Sequence, residues 1–388
     1  VMDRFMRTMG LPGKAFVPMI VGFGCNVPAI MATRTLENPR DRILTILMNP
    51  FMSCGARLPV YALFGAAFFP VGGQNLVFGL YLIGISMAVL TGLIMKHTIL
   101  PVESSHFVME LPRYHLPTLK SVLLHTWDRL KSFLLRAGKI IVPMVMIINL
   151  MSAIGTDGSF DNENTSDSVL SQVGRALTPA FAPLGITEEN WPATVGVFTG
   201  VMAKEVVVGT LDTIYGQLAR TDDMTSDPAA RVSTDDYRLW DGIRAAFSTI
   251  PTNLAGILGN LVDPLGLDIG DVSDVERAAS EQAVDLGTFG AMAARFDGKA
   301  GAFAYLLFIL MYFPCVAATA TIYRETSLGW AAFVGAWTTG LGYSTATIFY
   351  QIATFSEHPI TSTAWVSGIV GLFCFTVFGL HWWEKSRQ

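Results

Sequence analysis

The sequence has few charges and few cysteines. Only 15% of its 388 residues are charged, whereas an ordinary soluble domain has roughly 25%. The formal net charge of -5 gives no basis for a nucleic-acid-binding surface, so we expect no nucleic-acid partner. The four cysteines lie in apolar stretches without paired spacing, and this excludes a disulfide framework and a zinc ribbon. They are Cys25, Cys54, Cys315 and Cys374.

The sequence also lacks the motifs of common enzyme classes. It contains no His-Glu-x-x-His metalloprotease motif. The segment from Gly10 to Ala15 is rich in glycine, but it does not have the spacing of a phosphate-binding loop. We therefore expect neither catalysis nor nucleotide binding by this chain.

Long uncharged runs are what the sequence has in abundance. A helix of about 20 apolar residues is enough to cross a bilayer, and the run from Leu58 to Met95 is far longer. Because similar runs recur as far as Trp383, the sequence predicts an all-α, polytopic helical membrane protein. Basic loops mark the cytoplasmic side of such proteins. The alternation of basic and acidic loops predicts nine crossings, one of them at 243–262.

Loop charge also divides the chain into regions. The basic segment 96–139 is assigned to the cytoplasm, and its apolar residues from Leu119 to Ala137 recur at helical spacing. This amphipathic helix lies in the membrane interface or packs on the bundle. The acidic loop 263–300 is assigned to the periplasm. The full division is 1–95 (membrane spans), 96–139 (cytoplasmic amphipathic segment), 140–262 (further spans), 263–300 (polar loop) and 301–388 (C-terminal spans).

Two spans carry residues that interrupt a helix. Gly22–Pro28 and Asn49–Pro59 each place Gly, Pro, Cys and a side-chain amide near membrane depth. Broken backbone at that depth is tolerated where it is buried in protein or lines a cavity, and paired interruptions indicate a transporter's binding site. Freed carbonyls and nearby thiols would suit a cation. Simple proline kinks are the alternative interpretation.

A third and a fourth interruption follow. Lys204 and Glu205 are adjacent charges in an otherwise apolar run, and ionisable residues at that depth are functional candidates. The alternative is that Lys204 extends to the inner interface while Glu205 caps a helix. The two crossings around Lys204 are equally compatible with a re-entrant hairpin. The fourth interruption, Tyr312–Cys315, again places a proline before a thiol.

Taken together, these motifs resemble a known family. Gly22-Phe-Gly-Cys-Asn-Val-Pro-Ala-Ile-Met-Ala-Thr-Arg34 and Asn49-Pro-Phe-Met-Ser-Cys-Gly-Ala-Arg-Leu-Pro-Val-Tyr61 resemble the first Gate region of the ferrous iron transport protein B (FeoB) family. Met202–Thr210 resembles the second Gate region, and Phe313–Cys315 resembles the late cysteine span. The resemblance covers essentially the whole chain.

The resemblance implies a fold and a function. The fold is Gate-type, with broken or re-entrant helices and an internal repeat. The function is that of the membrane permease portion of a GTP-dependent ferrous iron importer in the bacterial inner membrane. The path cysteines proposed for the family correspond here to Cys25, Cys54 and Cys315. We expect a transient site in which carbonyls, Asn26 and Glu205 add ligands, because a closed thiolate cage would favour zinc or copper over iron. The expected gate residues are Pro28, Ser53 and Lys204.

The resemblance also implies cofactors and partners. Fe2+ is the transported substrate, and GTP with Mg2+ would act only through an N-terminal GTP-binding domain that this chain lacks. We expect the chain to be part of a longer protein. Other implied partners are small cytoplasmic Feo accessory proteins and the lipid bilayer, with a homo-oligomer left open. The alternatives are a nucleoside or other solute transporter with Gate architecture, and a membrane-embedded enzyme or scaffold.

Overall fold

A computed structural model describes residues 2–100, 118–155, 168–226 and 284–385, together with Arg244, Phe247, Ser248 and Pro251. In these residues the regular elements are helices, and the β-structure is limited to an isolated bridge between Gly155 and Ser168. The all-α prediction is confirmed. The predicted crossing at 243–262 and most of the loop 263–300 lie outside the described residues.

Fifteen α-helices are numbered here in chain order. They are α1 (Met2–Thr8), α2 (Phe16–Gly24), α3 (Asn26–Ala32), α4 (Pro39–Met48), α5 (Leu58–Phe68), α6 (Gly73–Thr98), α7 (Leu119–Ala153), α8 (Val169–Leu177), α9 (Trp191–Met202), α10 (Val206–Ser226), α11 (Leu286–Arg295), α12 (Gly298–Met311), α13 (Val316–Glu325), α14 (Leu328–Ala353) and α15 (Pro359–Lys385). Short 3-10 turns occur at Gly13–Ala15, Thr33–Thr35, Asn49–Phe51, Gly55–Arg57, Thr178–Leu184 and Glu188–Asn190.

Helix breaks occur at all four interruptions expected from the sequence. The chain leaves helical geometry between α2 and α3, between α4 and α5, between α9 and α10, and between α12 and α13. Proline explains three of the restarts, because it lacks an N–H and fits the first turn, where that donor has no intrahelical partner. Pro28 lies in the first turn of α3, Pro59 in that of α5, and Pro314 just before α13.

Four helical segments among the described residues are long and apolar enough to cross a membrane: Pro39–Phe68, Gly73–Thr98, Gly298–Glu325 and Pro359–Trp382. The number of predicted crossings was nine. Part of the difference has a physical reason, because the run 15–33 is divided into the short helices α2 and α3 and the run 191–215 is interrupted between α9 and α10. The apolar helix at Ile141–Ala153 is also short, and the predicted crossing at 243–262 lies outside the described residues. The interruption between α9 and α10 agrees with the re-entrant interpretation of the segment around Lys204.

The predicted boundary between residues 139 and 140 falls inside a single helix. α7 runs without interruption from Leu119 to Ala153 and includes Pro143. The amphipathic segment and the following apolar segment are therefore one continuous element. Leu123, Trp127 and Leu130 of this helix are exposed, so these side chains do not pack on the described bundle.

The order of elements in the first half of the chain recurs in the second. A broken helix pair, a broken span and one long helix follow each other as α2/α3, α4/α5 and α6. The same succession appears as α9/α10, α12/α13 and α14, and both long helices have 26 residues. This order agrees with the expected internal repeat. α12 lies in the centre of the bundle, where all its residues from Ala304 to Met311 are buried.

Candidate cation path

Cys25 lies at the break between the first pair of half-helices. Its backbone is extended, with φ -155° and ψ 132°, and it is the residue that precedes the first turn of α3. Its N–H donates to the carbonyl of Val21 at 3.1 Å, and its carbonyl accepts from the N–H of Ala29 at 3.4 Å. The break therefore keeps its own backbone hydrogen bonds while it places a half-buried thiol between two helix ends.

Asn26, the next residue, connects the two broken spans of the first half. It is buried, and in the amide orientation that satisfies its surroundings its nitrogen donates to the carbonyls of Gly22 and Asn49, each at 3.2 Å. Asn49 is fully buried, and its Oδ1 atom has no hydrogen-bond partner among the described residues. Asn49 was not among the expected ligands, although its place beside Pro50 within the broken span was visible in the sequence.

Ser53 and Cys54 lie in the second break, where a buried arginine holds the loop. The Ser53 hydroxyl is 3.2 Å from the hydroxyl of Tyr61. Arg57 is 1% exposed and donates from Nη1 to the carbonyls of Pro50 at 3.1 Å and Met52 at 3.5 Å. Within the described part of the chain its Nε and Nη2 atoms have no acceptor. The sequence analysis missed Arg57, although a charge beside Cys54 within the broken span was a usable signal.

Lys204 and Glu205 lie in the turn between α9 and α10 and face different surroundings. Lys204 is 4% exposed, and its ammonium lies 4.7 Å from the centre of the Tyr312 ring. Glu205 is exposed. The two adjacent charges of this apolar run therefore differ in burial, since Lys204 is enclosed and Glu205 is exposed. The alternative in which Lys204 extends to the interface is not supported, because its ammonium is enclosed by protein.

Cys315 repeats the arrangement of Cys25 in the second half. It directly precedes α13, and its carbonyl accepts from the N–H of Thr319 at 2.9 Å. The Thr319 hydroxyl donates to the carbonyl of Pro314 at 3.2 Å. Cys315 is half-buried. Each of these two thiols therefore stands at the start of a short half-helix, and α3 packs against α13.

The breaks bring the predicted residues into one region. Cys25 is close enough to interact electrostatically with Cys54, Cys315 and Glu205, and Lys204 is within the same range of Cys54, Cys315 and Arg57. Cys374 is exposed on α15. Across the described ranges, no group of three or more His, Cys, Asp or Glu side chains is close enough to hold a metal ion. Their role as ligands stays a prediction.

An ion-pair cluster, which we call the Glu325 cluster, joins the ends of the two cysteine-bearing half-helices. The Glu325 carboxylate, whose side chain is 3% exposed, pairs with Arg34 at 2.5 Å and also with Arg42. Arg34 follows α3, Arg42 lies in α4, and Glu325 ends α13. The cluster thus fixes α13 to the first broken spans. It was not predicted, because nothing in a single sequence indicates that these distant charges meet.

A cavity of about 460 Å³ lies elsewhere, between α14 and α15. Its lining is largely apolar and includes Phe333, Trp337, Ser344 and Phe373. None of the predicted site residues lines it. We therefore assign the candidate path to the helix breaks and not to this cavity.

Two family models match the chain. The model described as nucleoside recognition, or Gate, matches residues 1–68 and 134–329. The model described as ferrous iron transport protein B C terminus matches residues 77–129. Together, the matched ranges include all four helix breaks.

Similar proteins include an Fe(2+) transporter FeoB of Legionella pneumophila, which is 47% identical over 393 residues, and one of Salmonella paratyphi A, which is 46% identical over 389 residues. Both comparisons cover 100% of this chain but only 50% and 48% of the respective relative. The chain therefore spans about half the length of the curated relatives it matches. No solved structure matches the chain.

Proposed function

The chain belongs to the ferrous iron transport protein B family, and on that premise we propose that its membrane bundle carries Fe2+ across the bacterial inner membrane. The observation that carries the proposal is the proximity of three helix breaks that each carry one cysteine, because Cys25 lies within electrostatic range of both Cys54 and Cys315. Similar proteins are named as Fe(2+) transporters, and this supports iron as the cargo.

The chemistry of the breaks suits a cation that must be bound weakly and released. Cys25, Cys54 and Cys315 supply sulfur, while the buried Oδ1 atom of Asn49 and freed carbonyls supply oxygen. A full set of thiolates would hold zinc or copper too tightly. We propose that Fe2+ meets one or two of these thiols at a time, with Asn26 holding the first break in shape and Glu205 meeting the ion at the exposed end.

The energy source lies outside this chain in our proposal. GTP and Mg2+ act through an N-terminal GTP-binding domain of the intact protein, and small cytoplasmic Feo accessory proteins act on the same side. The basic segment 96–139 is the surface that we assign to contact with that domain. Part of this segment belongs to α7, which continues without interruption as far as Ala153 and connects the segment to the bundle.

Cysteine substitution in the intact protein tests the proposal. Ferrous iron uptake is measured in bacteria that lack their own importer and express the wild type or one of four Cys→Ser variants at equal membrane levels. We expect uptake to fall at least about tenfold for Cys25→Ser and Cys54→Ser, because each removes a soft ligand from the path, and to fall clearly for Cys315→Ser. Cys374→Ser is the matched control, and we expect it to leave uptake unchanged.

If all four Cys→Ser variants reduced Fe2+ uptake equally and only mildly, the proposal that thiols line the path would be wrong. The match to the nucleoside recognition model favours one second candidate, nucleoside transport by the same architecture. Nucleoside uptake that persists in the cysteine variants, without iron uptake by the wild type, would favour that candidate.

A further inference from the structure

Lys204 has a buried side-chain amine that lacks the usual carboxylate partner. In the part of the chain that the structure describes, no acceptor lies within hydrogen-bonding distance of its ammonium. Buried lysines normally pair with a carboxylate, since an unpaired charge in a low-dielectric interior is costly. The adjacent carboxylate, Glu205, is exposed and does not form an ion pair with it. The position of this charge therefore requires an explanation.

The groups around the Lys204 ammonium are an aromatic ring and two thiols. The Tyr312 ring lies 4.7 Å away, and the thiols of Cys54 and Cys315 are within electrostatic range. Aromatic faces attract cations through the ring quadrupole, and sulfur is the soft ligand that transition metals use. The groups that surround Lys204 are thus the groups that a partly dehydrated metal cation would meet.

A second buried cation stands close by. Arg57 is 1% exposed and within electrostatic range of both Lys204 and Tyr312. Two positive charges in a dry region oppose the entry of a divalent cation strongly, because Coulomb repulsion is only weakly screened there. Arg57 is tied to the carbonyls of Pro50 and Met52 and supports the loop of Cys54. The Lys204 ammonium makes no such hydrogen bonds, so of the two cations it is the one that can move away from the thiols.

We propose that the Lys204 ammonium is a tethered cation that occupies the position of Fe2+ in the closed path, and that metal entry requires its displacement. This proposal rests on the proposed function. The backbone permits the movement, because Lys204 lies in a short turn where α9 has ended and α10 has not begun. The exposed Glu205 carboxylate is the acceptor that the displaced ammonium reaches.

Cobalt binding to the purified intact protein tests the proposal. Co2+ is the probe because its bonds to thiolates absorb in the near ultraviolet and it resembles Fe2+ in ligand preference. Lys204→Met removes the charge and keeps the length of the side chain, and Lys204→Arg keeps the charge. Lys299→Met is the matched control, since Lys299 also lies over an aromatic ring, Phe69, at 5.8 Å.

We expect Lys204→Met to bind Co2+ at least about tenfold more tightly than the wild type, because a competing positive charge has gone. Lys204→Arg should bind no more tightly than the wild type, and Lys299→Met should match it. The melting temperature is measured on the same samples. Lys204→Met should melt at or above the wild-type temperature, because it replaces an unpaired buried charge by an apolar group. Lys204→Gln repeats the test if the methionine variant does not fold.

Two outcomes separate this proposal from the function on which it rests. Equal Co2+ affinity for the wild type and Lys204→Met, with the thiolate absorption present in both, overturns the tethered cation and leaves the cysteine path intact. Absence of the thiolate absorption from every protein contradicts the cysteine path and the tethered cation together.

Discussion

Gly22 and Gly24 lie two residues apart in α2 but have very different surroundings. A Cβ atom on Gly22 would lie 2.6 Å from Asn49 Oδ1 and 3.2 Å from Met52 Cβ. A Cβ atom on Gly24 would meet nothing within 4 Å. The absence of a side chain at residue 22 is therefore what lets the first two broken spans approach each other.

This difference makes a paired prediction. Gly22→Ala should destabilise the protein by about 1–3 kcal/mol through overpacking. Gly24→Ala should be neutral, or stabilising by up to about 1 kcal/mol, because alanine favours the helix. Thermal melting of both variants in the same detergent provides the measurement. Similar melting temperatures for the two would contradict the close approach at Gly22.

Glu205 is the exposed residue of the proposed path, so its effects on stability and on transport can be measured separately. Glu205→Gln should change the free energy of unfolding by less than about 0.5 kcal/mol, as is usual for exposed positions. Fe2+ uptake per folded molecule should fall, because the substitution removes the carboxylate that we propose to meet the cation. Glu357→Gln, at another exposed carboxylate, is the control. Unchanged uptake in Glu205→Gln would exclude this carboxylate from the path.

The half-helices α3 and α13 form a pair, and the Glu325 cluster joins their ends. Each begins at a cysteine, and the ends farthest from the thiols meet where Arg34 and Arg42 pair with Glu325. The carboxylate is buried while Arg34 is 55% exposed. Removal of Glu325 would leave two cations facing each other, so the cluster holds the first broken spans against α13.

Glu325→Gln should therefore lower the free energy of unfolding by about 1–3 kcal/mol, less than for a fully buried pair because water screens Arg34. Glu37→Gln removes an exposed carboxylate that pairs with Lys14 at 3.5 Å, and it should cost less than about 1 kcal/mol. Denaturation in one detergent compares the two. A loss in Glu325→Gln no larger than in Glu37→Gln would show that the cluster does not hold the half-helices together.

At the scale of helices, the positions of the breaks were predictable from the residues beside them. Proline and glycine beside Cys25, Cys54 and Cys315 indicated where helices break, because these residues act on the backbone next to them. The continuity of α7 was missed, because a change from an amphipathic to an apolar pattern does not by itself end a helix. The pairing of Arg34 with Glu325 was also missed, because it joins residues 291 positions apart.

The sequence indicated several residues of the candidate site, but not how they are oriented. The sequence placed Lys204 and Glu205 together in an apolar run, yet only the turn between α9 and α10 decides which of them is buried. Arg57 and Tyr312 entered the site through tertiary packing around Lys204. The sequence shows Arg57 as a charge within a broken span, but it does not show that Arg57 and Tyr312 pack near Lys204, because periodicity reports the faces of regular helices and these residues lie beside breaks.

At the scale of the whole molecule, the described helices form a bundle whose apolar segments include four long enough to cross a membrane. The chain spans about half the length of the relatives it matches. The order of broken pair, broken span and long helix occurs twice along the chain, and Cys54 of the first occurrence and Cys315 of the second both lie within electrostatic range of Lys204. In the proposed function, transport follows from movement at these breaks, and GTP bound to an N-terminal domain supplies the energy.

Uptake of Fe2+ into proteoliposomes that contain the purified intact protein tests the central claim most directly. GTP with Mg2+ is supplied or withheld on the side of the nucleotide-binding domain, and a labelled nucleoside is offered in parallel to the same vesicles. The account predicts that Fe2+ accumulates when GTP is present, that Cys54→Ser abolishes the accumulation, and that the nucleoside stays outside. Nucleoside accumulation without Fe2+ uptake, or Fe2+ uptake that survives Cys54→Ser undiminished, would contradict it.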